Sequence, residues 1–175
     1  MKGAKYFFVM FFFSLILFSH AHLIRDAHAE GIFAKTVPDF SLNDPAGIHY
    51  TKNQLITKGI VILVTAPIFK NKGAQEGWSK FLPDAKGHSK GHLIFLEDLS
   101  ASSFKGMALS GMKKDYQPGI EPILLIDESG SVREKFGVEK EKNVVLVYDS
   151  KGKLVYQETG KPNAMSAGEI WKKVN

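Results

Sequence analysis

The sequence predicts one mixed α/β domain: a central sheet with helices on both faces, closed by a hairpin and a final helix. Three observations predict it. Continuous runs of β-branched residues and leucine, Ile60 to Val64, Leu93 to Leu96 and Ile123 to Ile126, are separated by helix-like segments. Such runs belong in the middle of a sheet covered on both sides, and strands alternating with helices make parallel pairs. Val144 to Tyr148 and Leu154 to Thr159 flank Asp149-Ser150-Lys151-Gly152, a turn that adds an antiparallel hairpin.

The N-terminus reads as a targeting segment. Lys2 and Lys5 precede an apolar core from Tyr6 to Phe18, and Ala27-His28-Ala29 supplies a small-x-small cleavage site. Ser19-His20-Ala21 is a second cut site, and an uncleaved anchor from Tyr6 to Ile24 is the alternative. That stretch contains Ser14, Ser19, His20 and His22, and its wholly apolar part falls short of the ~20 residues of a bilayer span. The expected organisation is a signal peptide over residues 1–29 and one domain over 30–175, exported to the periplasm or secreted. A membrane is involved only if the segment is retained.

The chain has no cysteine. Small exported domains often use disulfides to staple weak cores, so here the hydrophobic core must suffice. Dithiol exchange, thiol peroxidase chemistry and thiolate metal ligation by this chain alone are excluded. The formal charge is +5, and removing residues 1–29 leaves about +3. Arg133 is then the single arginine. Lysines are spread among acids, and nucleic-acid readers depend on arginine, so no nucleic-acid partner is expected.

Along the domain, Val37 to Leu42 alternates apolar and polar residues, as a short edge strand beginning near Pro38 does. Asp44-Pro45-Ala46-Gly47 is a turn, and Ile48 to Tyr50 pairs back. Ala74, Trp78, Phe81 and Leu82 share one helical face, and Pro83 ends or bends that helix. Residues 84–92 form a polar glycine-rich loop. Phe104, Met107, Ala108 and Met112 give a second amphipathic helix after caps at Ser100 to Ser103, and Ser131 to Phe136 a short helical turn. Ser166 and Glu169 have capping-box spacing, with Ile170, Trp171 and Val174 on the inner side of the closing helix.

Three stretches of this layout resemble the thioredoxin-like superfamily, specifically redoxins of the alkyl hydroperoxide reductase/thiol-specific antioxidant branch. "VPDFSL" resembles their N-terminal Pro-Asp-Phe strand, and "GIVILVTAP" the strand that delivers the active-site loop. "VVLVYDSKGKLVYQETG" resembles their final hairpin. The resemblance implies a sulfur in the loop that follows Ile60 to Val64. Read like the Cys-x-x-Cys members, Phe69 and Lys72 stand at the sulfur positions. Read like the Pro-x-x-x-Thr-x-x-Cys peroxidases from Pro67, Asn71 replaces the threonine and Ala74 the peroxidatic cysteine. The superfamily also holds a cis-proline before the hairpin, here Lys142 or Asn143. A cis bond before any other residue costs ~2.5–4 kcal/mol, so that bend is expected to be lost with the sulfur.

What remains is a binding site at the degenerate loop, Pro67, Ile68, Phe69, Lys70, Asn71 and Lys72. Phe69 beside two lysines suits a peptide or an acidic protein of the cell envelope. Equally, Ile68 and Phe69 can tuck under the first helix and fill the space of the lost catalytic groups. No catalytic residue and no cofactor is expected. His88 and His92 have i, i+4 spacing but sit in a polar loop, where a metal role is the minor reading. Glu97, Asp98 and Asp127 follow strands and could line the crevice where α/β sheets bind ligands; capping of turns and helices is the plainer use. The function expected is a cysteine-free binding or accessory module. The alternative is a redoxin-related enzyme working through non-thiol residues or a bound metal.

Overall fold

The computed structural model describes residues 33–67, 72–162 and 164–174. The expected leader, residues 1–29, and Ile68 to Asn71 lie outside the described residues. Seven strands are ordered β2-β1-β5-β4-β3-β6-β7. They are β1 (Ser41–Asn43), β2 (His49–Thr51), β3 (Ile60–Thr65), β4 (His92–Asp98), β5 (Ile123–Asp127), β6 (Val144–Tyr148) and β7 (Leu154–Thr159). The pairs β3–β4 and β4–β5 are parallel, and the remaining pairs are antiparallel. The helices are α1 (Lys52–Leu55), α2 (Lys72–Lys86), α3 (Lys105–Asp115), α4 (Ser131–Lys135) and α5 (Ala164–Val174). No helix among the described residues is long and apolar enough to cross a membrane.

The apolar runs form central strands because both their faces are covered. All six residues of β3 are buried. Its odd positions, Val61 and Leu63, join Trp78 and Leu82 of α2 and Ile170, Trp171 and Val174 of α5. Its even positions join Phe136, Val138, Leu146 and Tyr148 on the other face. Both tryptophans are tied as well as packed: Trp78 Nε1 donates to the Gly160 carbonyl at 2.8 Å and Trp171 Nε1 to that of Leu82 at 2.7 Å.

Several expectations need correction. Val37 to Leu42 is not an edge strand. Thr36 bridges Lys153 beside β7, while β1 pairs with β5 on the opposite flank. Residues 37–40 therefore cross the sheet, burying Val37 and Phe40 beneath it. Helix α2 runs through Pro83 to Lys86, so the polar loop shrinks to residues 87–91 and His92 opens β4. The helix is anchored before the proline by buried Trp78 and Leu82, and beyond it by Ala85, packed against the same core, and by Lys86, bound to Glu121. Helix α5 begins at Ala164, which places Ser166 inside it rather than at its cap. Helix α3 buries none of its residues. Phe104 precedes it and Met107 is 74% exposed, and Gly106 and Gly111 leave too little side chain for an apolar face.

One buried network closes the face opposite α2. Asp127 accepts from the amides of Gly130, Val132 and Arg133, each at 2.8 Å, and so caps α4. The Arg133 Nε lies 2.8 Å from Asp98 Oδ2, off the N–H axis, so charge holds the pair. Its other nitrogens reach the Val138 carbonyl and Glu134. Asp127→Ala leaves three amides without their acceptor and is expected to cost about 2–4 kcal/mol, read by urea unfolding.

Candidate functional site

The central strand ends at Thr65, and the chain leaves the sheet through Ala66 and Pro67 before α2 begins at Lys72. Thr65 is paired in register with Glu97 of β4. On its other side its hydroxyl donates to Asn143 Oδ1 at 2.5 Å. Strand alternation puts all three side chains on the face that α2 covers. A polar row, Asn143–Thr65–Glu97, thus runs from the residue just before β6 across the end of β3 to β4, where the sheet meets the start of the helix. Gln75, from the first turn of α2, donates to Glu97 Oε1 at 2.7 Å.

Glu97 is the odd member of this row. It is buried, and its Oε2 has no hydrogen-bond partner among the described residues. Burial pushes its pKa up; the Gln75 bond opposes this and the neighbouring Asp98 charge adds to it, leaving a value of about 7. The Thr65 hydroxyl donates to Asn143 rather than to Glu97, so among the described residues no hydroxyl faces this carboxyl.

Of the loop residues expected from the sequence, Pro67 is half-buried at the end of β3 and Lys72 is exposed at the start of α2. Lys72 faces Glu76 at 3.8 Å in solvent. Ile68, Phe69, Lys70 and Asn71 lie outside the described residues. Lys142 and Asn143 are the two candidates for the position that the resemblance gives to cis-proline, and the cis bond among the described residues is Glu121–Pro122 instead. Glu97, Asp98 and Asp127 do not line one crevice. Asp98 and Asp127 turn to the opposite face, where Asp98 also accepts from the Ser100 amide at 2.8 Å.

The two histidines are also separated. His88 is exposed in the loop after α2, whereas His92 Nδ1 meets Glu121 Oε1 at 2.7 Å. Lys86 and the Leu93 amide bind the other Glu121 oxygen. Among the described residues no group of three or more metal-ligating side chains comes together. Glu121 is a strut that joins the end of α2 to the starts of β4 and β5. Burial raises its pKa, but the bonds from Lys86, His92 and Leu93 outweigh this and hold it below the usual carboxylate range.

Two open cavities lie elsewhere. One of about 640 Å³, lined among others by Asn43, His49, Lys113, Ser129 and Lys135, opens beside β5, two strands from β3. Another of about 540 Å³ lies under α3, between Phe95, Met112, Tyr116, Ile120 and Leu124.

Solved structures with this arrangement share its topology at low identity. The pneumococcal exposed lipoprotein thioredoxin Etrx1 of Streptococcus pneumoniae TIGR4 matches with TM-score 0.61 and 16% identity, over 78% of this chain and all of its own. A putative protein disulfide isomerase from Bacteroides thetaiotaomicron matches with TM-score 0.61 and 17% identity, over 81% and 89%. The fold is thioredoxin-like. A putative thiol:disulfide interchange protein DsbE from Chlorobium tepidum matches with TM-score 0.52 and 16% identity, over 81% and 94%. No family model and no curated protein sequence matches the chain. This thioredoxin-like chain keeps the seven-stranded frame and has no cysteine.

Thr65, Gln75 and Glu121 escaped the sequence reading. Each is a single polar residue whose partner comes from another element, and no local pattern marks such a pairing.

Two pH effects of opposite sign follow. Glu97 is harder to ionise in the folded chain than in the unfolded one, so its contribution is intact below about pH 4.5. It is lost as pH rises to about 7. Glu97→Gln is expected to leave stability at pH 4 unchanged and to raise it by up to about 3 kcal/mol at pH 8 in chemical unfolding. Glu121 ionises more readily when folded, so its contribution is present at neutral pH and lost as acid protonates it. Glu121→Gln is expected to destabilise at pH 7 and to flatten the loss of stability on acidification below the ordinary carboxylate pKa.

Proposed function

We propose that this chain is an exported thioredoxin-like protein that performs no thiol redox step and binds an extended protein or peptide segment of the cell envelope. The binding site is the loop over residues 67–72, at the end of β3. One observation carries the reading: a chain without cysteine holds a polar row at the end of its central strand, in a fold whose neighbours include a putative protein disulfide isomerase and a putative thiol:disulfide interchange protein. Sulfur chemistry needs an ionisable thiol; recognition of a backbone needs only a fixed strand end and surface groups. Export is supported by the leader pattern of residues 1–29, and the named neighbours include an exposed lipoprotein.

A second reading is an enzyme that uses Glu97 as acid or base, favoured by its pKa near neutrality. Against it, Glu97 is buried away from solvent, and both cavities described above lie at other sites. The binding reading is preferred.

Capture from an envelope fraction tests it. A defined partner is expected to be retained by the wild-type chain and lost with Phe69→Ala or Lys72→Glu. An identical set of retained proteins for all three would contradict the site. N-terminal sequencing of the mature protein is expected to begin at Glu30.

A further inference from the structure

We propose that Glu97 is a proton-operated latch on α2: while its carboxyl carries a proton, the first turn of the helix sits closed on the β3–β4 edge. When the proton leaves, the turn lifts and admits water.

The geometry supplies each part of such a latch. Glu97 Oε1 is held by Gln75 of the first turn, and Oε2 is buried with no donor among the described residues. An ionised carboxylate needs several donors, and an unpaired buried charge is costly enough that the group either keeps its proton or gains solvent. The surrounding elements offer no compensating charge among the described residues. Thr65 on β3 is committed to Asn143, which precedes β6. The neighbour in register on β5 is Ile126. On β4 itself Asp98 has the same sign, and it is turned to the other face against Arg133. Asp127 of β5 is spent on the α4 amides. From α2, Lys72 pairs with Glu76 in solvent.

The first turn is also the part of the wall that can move without disturbing the core. Lys72, Gly73 and Glu76 are exposed, and Ala74 and Gln75 are half-buried. A side chain at Gly73 would meet no atom within 4 Å, so nothing packs there. Firm anchorage begins at Trp78, wholly buried and bonded to Gly160. Water can therefore reach Oε2 by displacing one turn.

Linkage fixes the size of the effect. With Glu97 at about 7 in the closed form and at its ordinary value when open, the opening constant rises about 40-fold from pH 5 to pH 7 and then levels off. The latch belongs to the free protein and stands whether or not a peptide binds the loop, so a negative capture experiment leaves it untouched.

Native-state hydrogen exchange of the full protein tests it. Amides of Glu76 and Gly77, whose helical acceptors lie in the first turn, are read against their intrinsic rates from pH 5 to 8. Expected is the roughly 40-fold rise in opening by pH 7, insensitive to low denaturant, and a flat profile for Glu97→Gln. The ¹³C titration of the wild-type Glu97 carboxyl, which needs no variant, is expected to have its midpoint near 7. A flat wild-type exchange profile, a rise that persists in Glu97→Gln, or a rise only in step with global unfolding would overturn the latch. So would a carboxyl midpoint in the ordinary range.

Discussion

A strand with no exposed side chain governs this molecule. β3 is buried at every position, so it must be flanked by hydrogen-bonded neighbours on both edges and covered on both faces. Parallel β4 and antiparallel β6 supply the edges; α2 and α5 cover one face, and α4 with the crossing segment 37–40 covers the other. The chain can leave this strand only at its end. Whatever stands at Thr65, Glu97 and Asn143 is therefore held in a fixed place, between the sheet and the first turn of a helix.

The alternation of strands gives three acids different fates. Asp98 and Asp127 face the side where Arg133 and the amides of two turns supply donors, and there they are structural. Glu97 is one residue from Asp98 and points to the other side, where Gln75 is its single donor among the described residues. A period of two thus separates an acid that stabilises a cap from one that resists ionisation near neutrality. In a fold whose neighbours include a putative thiol:disulfide interchange protein, this chain has no cysteine and buries under the helix a carboxyl whose pKa is pushed up.

The strands were legible because burial on both faces writes itself as uninterrupted apolar runs, as at Ile60 to Val64. The final hairpin was legible from its turn. The passage of residues 37–40 beneath the sheet was not, because Val37 and Phe40 alternate as strand residues do, and only the bridge to Lys153 shows the crossing. The continuation of α2 past Pro83 was hidden for a similar reason: tertiary anchorage beyond the proline, Ala85 on the core and Lys86 on Glu121, overrides local propensity. The row itself joins residues 78 positions apart, Thr65 and Asn143. Telling Glu97 from Asp98 requires knowing which face α2 covers. Neither is a property of a local sequence pattern.

The central proposal is that the end of β3 serves binding and passes no electrons. It is tested most directly by supplying the purified protein, free of added thiol, with peroxide and separately with a disulfide substrate and a reductant, and following consumption. Background rates for the wild type and for Glu97→Gln are the expected result. A saturable rate in the wild type that disappears in Glu97→Gln would contradict it and make the carboxyl a catalyst.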